Sequence, residues 1–276
     1  MSPALAAYVA LWRVHAQQFR MDVVVDPAWR RRGFGAALVD FLVSQAESAK
    51  ATSLQARPYA GGADALRVLH ARAFHETMRM TGLELDDPSR AELAPLSELR
   101  RALERGGIRI TTLAAELECD PQSWEKLRDA NQAAQFGWPD PDPRPDGRPD
   151  EPETVEEFRA RAELFGLLPE ACFVAVMDDR FVGYSALTLS DAARTRAGSG
   201  GTAVRPESRG LGIATALKAC CVGWARDHGI RRLVTSSGNP AMVRVNEKFG
   251  FRRTYIEVRL VKRFAGQDHK STLGSE

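Results

Sequence analysis

Two short blocks of the chain set an arginine beside closely spaced small residues, a combination suited to holding phosphate oxygens. The first runs Val25-Asp-Pro27-Ala-Trp-Arg30-Arg31-Arg32-Gly33-Phe34-Gly35 and on to Leu38. The second runs Val204-Arg-Pro206-Glu-Ser-Arg209-Gly210-Leu211-Gly212-Ile213-Ala214-Thr215 and on to Leu217. Pro, Arg, Gly, the small residue and Leu keep one register in both. Where such a block leads from a strand into a helix, the first-turn amides have no intrahelical acceptor and the helix dipole adds positive potential. Glycine or alanine at the tip lets anionic oxygens approach the backbone, and the arginine adds a fixed cation. Neither block is a nucleotide P-loop, since no Gly-Lys-Ser/Thr follows. Neither has the Gly-x-Gly-x-x-Gly of a dinucleotide fold.

The flanking residues supply the elements such a turn needs. Met21 to Val25 and Thr202 to Val204 read as short strands. Phe34, Leu38, Phe41 and Leu42 then mark one helical face, and Ile213, Leu217, Cys220, Cys221 and Trp224 mark the other. Gly229 suits the stop of the second helix. A further match pairs Ala73-Phe74-His-Glu-Thr77 with Gly250-Phe251-Arg-Arg-Thr254, each entering an alternating strand. The separation is 41 positions from Gly33 to Phe74 and 39 from Gly212 to Phe251, which predicts a repeat interrupted by a two-residue loop difference. A bare Gly-containing turn with solvated arginines explains one block; two blocks with a matched downstream motif argue for duplication.

Bulk properties exclude several partners. With 38 basic and 36 acidic residues the net charge is +2, which gives no reason to expect nucleic acid or an anionic membrane surface. The composition, 44% hydrophobic, supports a real core, and no apolar run is long enough to span a bilayer. Four cysteines, Cys119, Cys172, Cys220 and Cys221, form no Cys-x-x-Cys pair, so reduced thiols, no metal site and a cytoplasmic location are expected.

These residues resemble the GCN5-related N-acetyltransferase superfamily. Its signature Gln/Arg-x-x-Gly-x-Gly/Ala is met by Arg30, Gly33 and Gly35 and again by Arg209, Gly212 and Ala214. The run from Asn239 through Met242 and Asn246 to Gly250-Phe251 is similar to the family's second cofactor segment. Tandem members of the mycothiol synthase type share the layout. The resemblance implies an α/β (α+β) fold of two tandem acyl-CoA N-acyltransferase-like domains, with mixed, mostly antiparallel sheets flanked by helices. It divides the chain into a partial first domain over 1–87, a linker and helix over 88–106, a complete domain over 107–264, and a disordered tail over 265–276. Only 24 residues precede Val25, whereas 96 separate Ile108 from Val204, so the first domain is expected to be truncated.

By the same resemblance, acetyl-CoA is the co-substrate. Thr202 and Ala203 would line its pantetheine arm, the Val204 amide would polarise the thioester, and Arg209 to Thr215 would hold the pyrophosphate, with Asn239 and Asn246 nearby. Val25 and Arg30 to Gly35 would serve likewise in the first copy. The position at which many members carry a proton-donating Tyr holds Asn246 in the second copy and Leu69 in the first, so the catalytic acid and base are unassigned. Glu116, read at the end of a strand from Ile108 to Leu117, is the candidate acceptor contact. The alternative for Glu116 is a solvated carboxylate. Tyr184 and His228 read as packing and helix-end residues. The proline-rich stretch from Trp138 to Pro152 reads either as an acidic lid for a cationic amine or as a surface loop. The expected activity is N-acetyl transfer to a primary amine of a small molecule by a monomer or homodimer, in the second domain. The alternative is a non-catalytic acetyl-CoA-binding module for sensing.

Overall fold

The computed structural model describes residues 5–15, 17–91, 93, 96–135, 153–189 and 195–264. The tail over 265–276 and the stretch from Trp138 to Pro152 lie outside them. In chain order the first repeat contributes β1 (Ala7–His15), β2 (Gln18–Val25), α1 (Phe34–Ser48), β3 (Ser53–Ala56), α2 (Ala63–His70) and β4 (His75–Asp86). After α3 (Leu96–Arg105), the second contributes β5 (Arg109–Thr112), α4 (Leu113–Cys119), α5 (Ser123–Gln135), α6 (Val155–Leu164), β6 (Leu167–Met177), β7 (Arg180–Leu189), β8 (Arg196–Val204), α7 (Ile213–Asp227), β9 (Arg232–Ser237), α8 (Pro240–Lys248) and β10 (Arg252–Arg263). No helix among the described residues is long and apolar enough to cross a membrane.

The duplication holds element by element. α1 and α7 are both 15 residues long and start 179 positions apart, as do β3 and β9. β4 and β10 both have 12 residues but start 177 positions apart. The predicted two-residue difference therefore falls between β3 and α2 on one side and β9 and α8 on the other, where Arg57 to Gly62 form the longer connection.

The chain forms two compact units. The first gathers residues up to Met80 and those from Ile256 onward. In it β2 pairs antiparallel with β1 (Ala7 opposite Val25) and parallel with β3 (Gln18 opposite Ser53), and β10 closes antiparallel on β3 (Leu260 opposite Ala56). Met21, Val39, Leu42, Leu54, Phe74, Val258 and Leu260 are buried together there. The core face of α1 is Val39, Leu42 and Ala46. The expected Phe34 and Phe41 are exposed at 40% and 52%, because the buried stripe runs one position beyond the one read from the sequence.

The second unit spans Thr81 to Tyr255. Its strands run β4, β9, β8, β7, β6, β5, antiparallel except for β8 on β9. One sheet face carries α4, α5 and α6 over Leu113, Leu127, Phe158 and Tyr184. On the other, α7 buries Ala219, Cys221, Val222 and Ala225. The turn at Asp178 and Asp179, with φ of 49° and 59°, makes the tight hairpin between β6 and β7. One strand was read too long. β5 stops at Thr112, whose side chain accepts from the Ala115 amide at 3.2 Å and starts α4, so Glu116 lies on a helix.

Candidate functional site

In the second unit the arginine–glycine block is a rigid strand-to-helix turn. β8 ends at Val204, Pro206–Ser208 make a single 3-10 turn, and Gly212 caps α7 without a side-chain hydrogen bond. Gly210 and Gly212 both sit at φ 84°, the left-handed region that a Cβ disfavours. Arg209 locks the turn: its Nε donates to the Val204 carbonyl at 3.2 Å and its Nη2 to that of Ala134 at 3.0 Å. The first unit repeats the turn. Arg30 Nε donates to Val25 at 3.1 Å, Gly33 caps α1 at φ 87°, and Arg31, at φ 62°, takes the place of Gly210. Arg32 lies over the Trp29 ring, 5.0 Å from its centroid, and the Phe34 ring meets Trp29 edge-on.

Beside each turn two parallel strands part. β8 pairs with β9 only from Arg196 to Gly198, so Ser199 to Val204 bond β7 on one side and leave the other edge open. The Arg205 amide donates to Val182 at 2.9 Å. By antiparallel alternation, Thr202 and Val204 then aim their N–H and C=O groups away from β7, at the open edge. The Val204 carbonyl there meets Arg209. The Thr202 hydroxyl is already hydrogen-bonded to Ser185 at 2.8 Å, and Ala203 packs toward α5. In the first unit β2 and β3 part after Met21 and Ala56, and the gap opens as a cleft of about 1090 Å³. Val25, Arg30, Arg31, Gly33, Gly35, Val39, Arg57 and Leu69 are among its walls. There Asp26 N–H donates to Ala6 at 2.8 Å, so Val23 and Val25 face the cleft as Thr202 and Val204 do.

The remaining candidates divide. Asn239 caps α8, accepting from the Ala241 amide at 2.9 Å. Asn246 is 2% exposed; its Nδ2 donates to the Met242 carbonyl at 2.8 Å, and its Oδ1 is buried without a partner among the described residues. Glu116 is not a free carboxylate, because both of its oxygens accept from Arg109, at 2.5 and 2.9 Å. That bidentate pair holds the Arg109 guanidinium above its usual range. Tyr184 is buried and donates to Asn131 at 2.7 Å, with burial pushing its phenol up. His228 ends α7, stacked on Trp224 with ring centroids 3.9 Å apart.

One residue escaped the sequence reading. Lys218 on α7 is 2% exposed, with Nζ donating only to Ser199 Oγ, at 3.4 Å, among the described residues. The signal was present in the repeat, since Lys218 stands 179 positions after Val39, a wall of the first cleft.

The site fits a molecule with a diphosphate and a long flexible arm. Uncapped helix amides lie beside left-handed glycines, an added Cβ at Gly33 or Gly210 would meet nothing within 4 Å, and an unpaired strand edge leads away from the turn. Comparison with known proteins agrees. The family described as Acetyltransferase (GNAT) matches residues 4–75 and 124–251. A GCN5-related N-acetyltransferase from Sphaerobacter thermophilus superposes with a TM-score of 0.68 at 20% identity, covering 94% of this chain and 76% of its own. A tandem GNAT protein from the clavulanic acid biosynthesis pathway, solved without AcCoA, gives 0.62 at 19% identity, covering 95% and 85%. A GCN5-related N-acetyltransferase from Kribbella flavida gives 0.57 at 15%, covering 95% and 89%. No curated protein matches the chain. The family's chemistry is acyl-CoA-dependent N-acetyl transfer, generally from acetyl-CoA. With both turns inside the matched segments, the chain belongs to the acetyltransferase (GNAT) family.

Proposed function

We propose that the chain transfers an acetyl group from acetyl-CoA to a primary amine of a small molecule, by direct attack, at the open edge of β8. The observation that carries this reading is the outward aim of the Thr202 and Val204 amides beside the Gly210–Gly212 turn. Helix amides from Gly212 to Thr215 would receive the diphosphate, and the two β8 amides would donate to the arm and to the thioester oxygen. Preorganised donors at that oxygen lower the barrier as negative charge develops there. The amine nitrogen forms the new bond to the carbonyl carbon as the carbon–sulfur bond breaks, and the amine loses a proton. Buried Asn246 Oδ1 is an acceptor without a donor among the described residues, and it would receive an N–H from the arm or from the amine.

The first cleft supports a second role. Its walls at positions 39 and 69 are Val39 and Leu69, where the second repeat has Lys218 and Asn246, so it offers the same turn with apolar side chains at these two positions. It would bind the same molecule without turning it over. Calorimetric titration with acetyl-CoA, beside a CoA-release assay across an amine panel, tests both parts. Two sites with release abolished only by Arg209→Glu would support the division. Binding without release by any amine would leave a sensing module instead.

A further inference from the structure

Lys218 sits where the acyl end of the bound molecule must arrive. α1 and α7 are equal in length and in register, and Val39, the residue equivalent to Lys218, lines the first cleft. In the second unit the last pair between β8 and β9 is Gly198 with Val234, so Ser199, which holds the Lys218 amine, is the first residue past the apex of the gap. From Ser199 to Val204 an extended strand covers roughly 17 Å, a length that a pantetheine arm spans. A molecule anchored by its phosphates at Gly210–Gly212 and laid along this edge reaches inward to Ser199 with its acyl group.

At that apex the protein has placed an amine with no anionic partner. Lys218 forms no ion pair among the described residues, and its neighbours are the neutral Ser199 and Cys221. An ammonium buried without a counter-charge is strongly disfavoured, and burial draws this amine below the usual lysine range. An acetyl methyl group gives such an amine nothing to bond. A carboxylate would supply both the counter-charge and the hydrogen-bond acceptor.

We propose that the gap beside β8 favours short dicarboxylic acyl thioesters, of the malonyl or succinyl kind, over acetyl, with Lys218 Nζ binding the distal carboxylate. This inference rests on the acyl-CoA reading of the same strand edge and differs from it in the acyl group preferred there.

Titration calorimetry on the full chain with CoA, acetyl-CoA and succinyl-CoA tests it. A charged hydrogen bond in a buried site predicts that succinyl-CoA binds about tenfold tighter than acetyl-CoA, or more. Lys218→Met, which keeps the volume and removes the amine, should erase that preference and leave CoA affinity unchanged. The comparison within the unsubstituted protein needs no variant, so a misfolded Lys218→Met does not blunt it. Acetyl-CoA binding as tightly as succinyl-CoA would overturn the proposal and leave the acyl-CoA reading standing. Mass spectrometry showing Lys218 itself acylated would also overturn it, making the amine an acceptor. No binding of CoA by folded protein would remove both readings.

Discussion

The Nη2 of Arg209 donates to the carbonyl oxygen of Ala134, near the end of α5, at 3.0 Å. With its Nε on Val204, this arginine joins the end of β8 to the helix on the opposite sheet face. The signature arginine therefore acts first as a fastener, and any charge it lends to phosphate comes from a side chain already fixed.

A lysine keeps the charge but cannot serve both carbonyls from fixed positions. Arg209→Lys is expected to weaken CoA binding about tenfold, the loss of one or two hydrogen bonds from a charged donor at a half-exposed site. Calorimetry checks this, and an unchanged affinity would mean that charge alone is what matters there.

Gly33 and Gly212 share a left-handed backbone but not their surroundings. An added Cβ at Gly33 meets nothing within 4 Å, whereas at Gly212 it would lie 2.8 Å from Leu99 Cδ1. Gly33→Ala should cost about 1–2 kcal/mol, the backbone term alone. Gly212→Ala should cost more, since Leu99 must also move. Urea midpoints of the two variants order the effects, and equal losses would contradict the crowding.

Glu116→Gln separates an ion pair from catalysis. The Arg109 side chain is 55% exposed, so breaking the bidentate pair should cost only about 1 kcal/mol of stability. Acetyl transfer by the variant should stay near that of the unsubstituted chain. A hundredfold fall in kcat would restore Glu116 as an acceptor contact or base.

Asn246→Leu copies the first repeat, where Leu69 holds the same place. It removes a buried acceptor that has no partner among the described residues, so the unliganded protein should be as stable or more stable. Acetyl transfer should fall. A clear loss of stability would show that Asn246 serves the fold and not the ligand.

Thiol labelling should order the cysteines by burial. Cys119 is exposed and should react promptly at neutral pH, while burial pushes the Cys220 thiol up to about 11 and raises Cys172 and Cys221 as well. These three favour the protonated form when folded. Their contribution is intact below the unfolded thiol range and is lost as pH rises through their folded values. Mass-resolved labelling in which Cys221 reacts as fast as Cys119 would contradict the buried helix face.

The repeat was legible because glycines, prolines and arginines at a turn are dictated by backbone geometry. They recur at fixed spacing and place α1 and α7 in register. Thr112 was missed because it sits inside a run of strand-like residues and its capping role shows only in the fold. β8 was read as starting at Thr202, since Arg196 to Gly201 are rich in glycine and small residues that give no strand pattern. Lys218 was passed over because a lysine on an amphipathic helix is ordinarily solvated. Its burial follows from the sheet it packs on, which no helical periodicity reveals.

The pairing of β10 with β3 sets a timetable for synthesis. Residues 53–56 leave the ribosome about 200 residues before 260–263, which must lie beside them to complete the first unit's sheet. At about 5–20 residues per second, β3 waits roughly 10 to 40 seconds with one edge unpaired. An exposed edge of that kind is a template for other strands, so the nascent first repeat stays open to mispairing until β10 arrives.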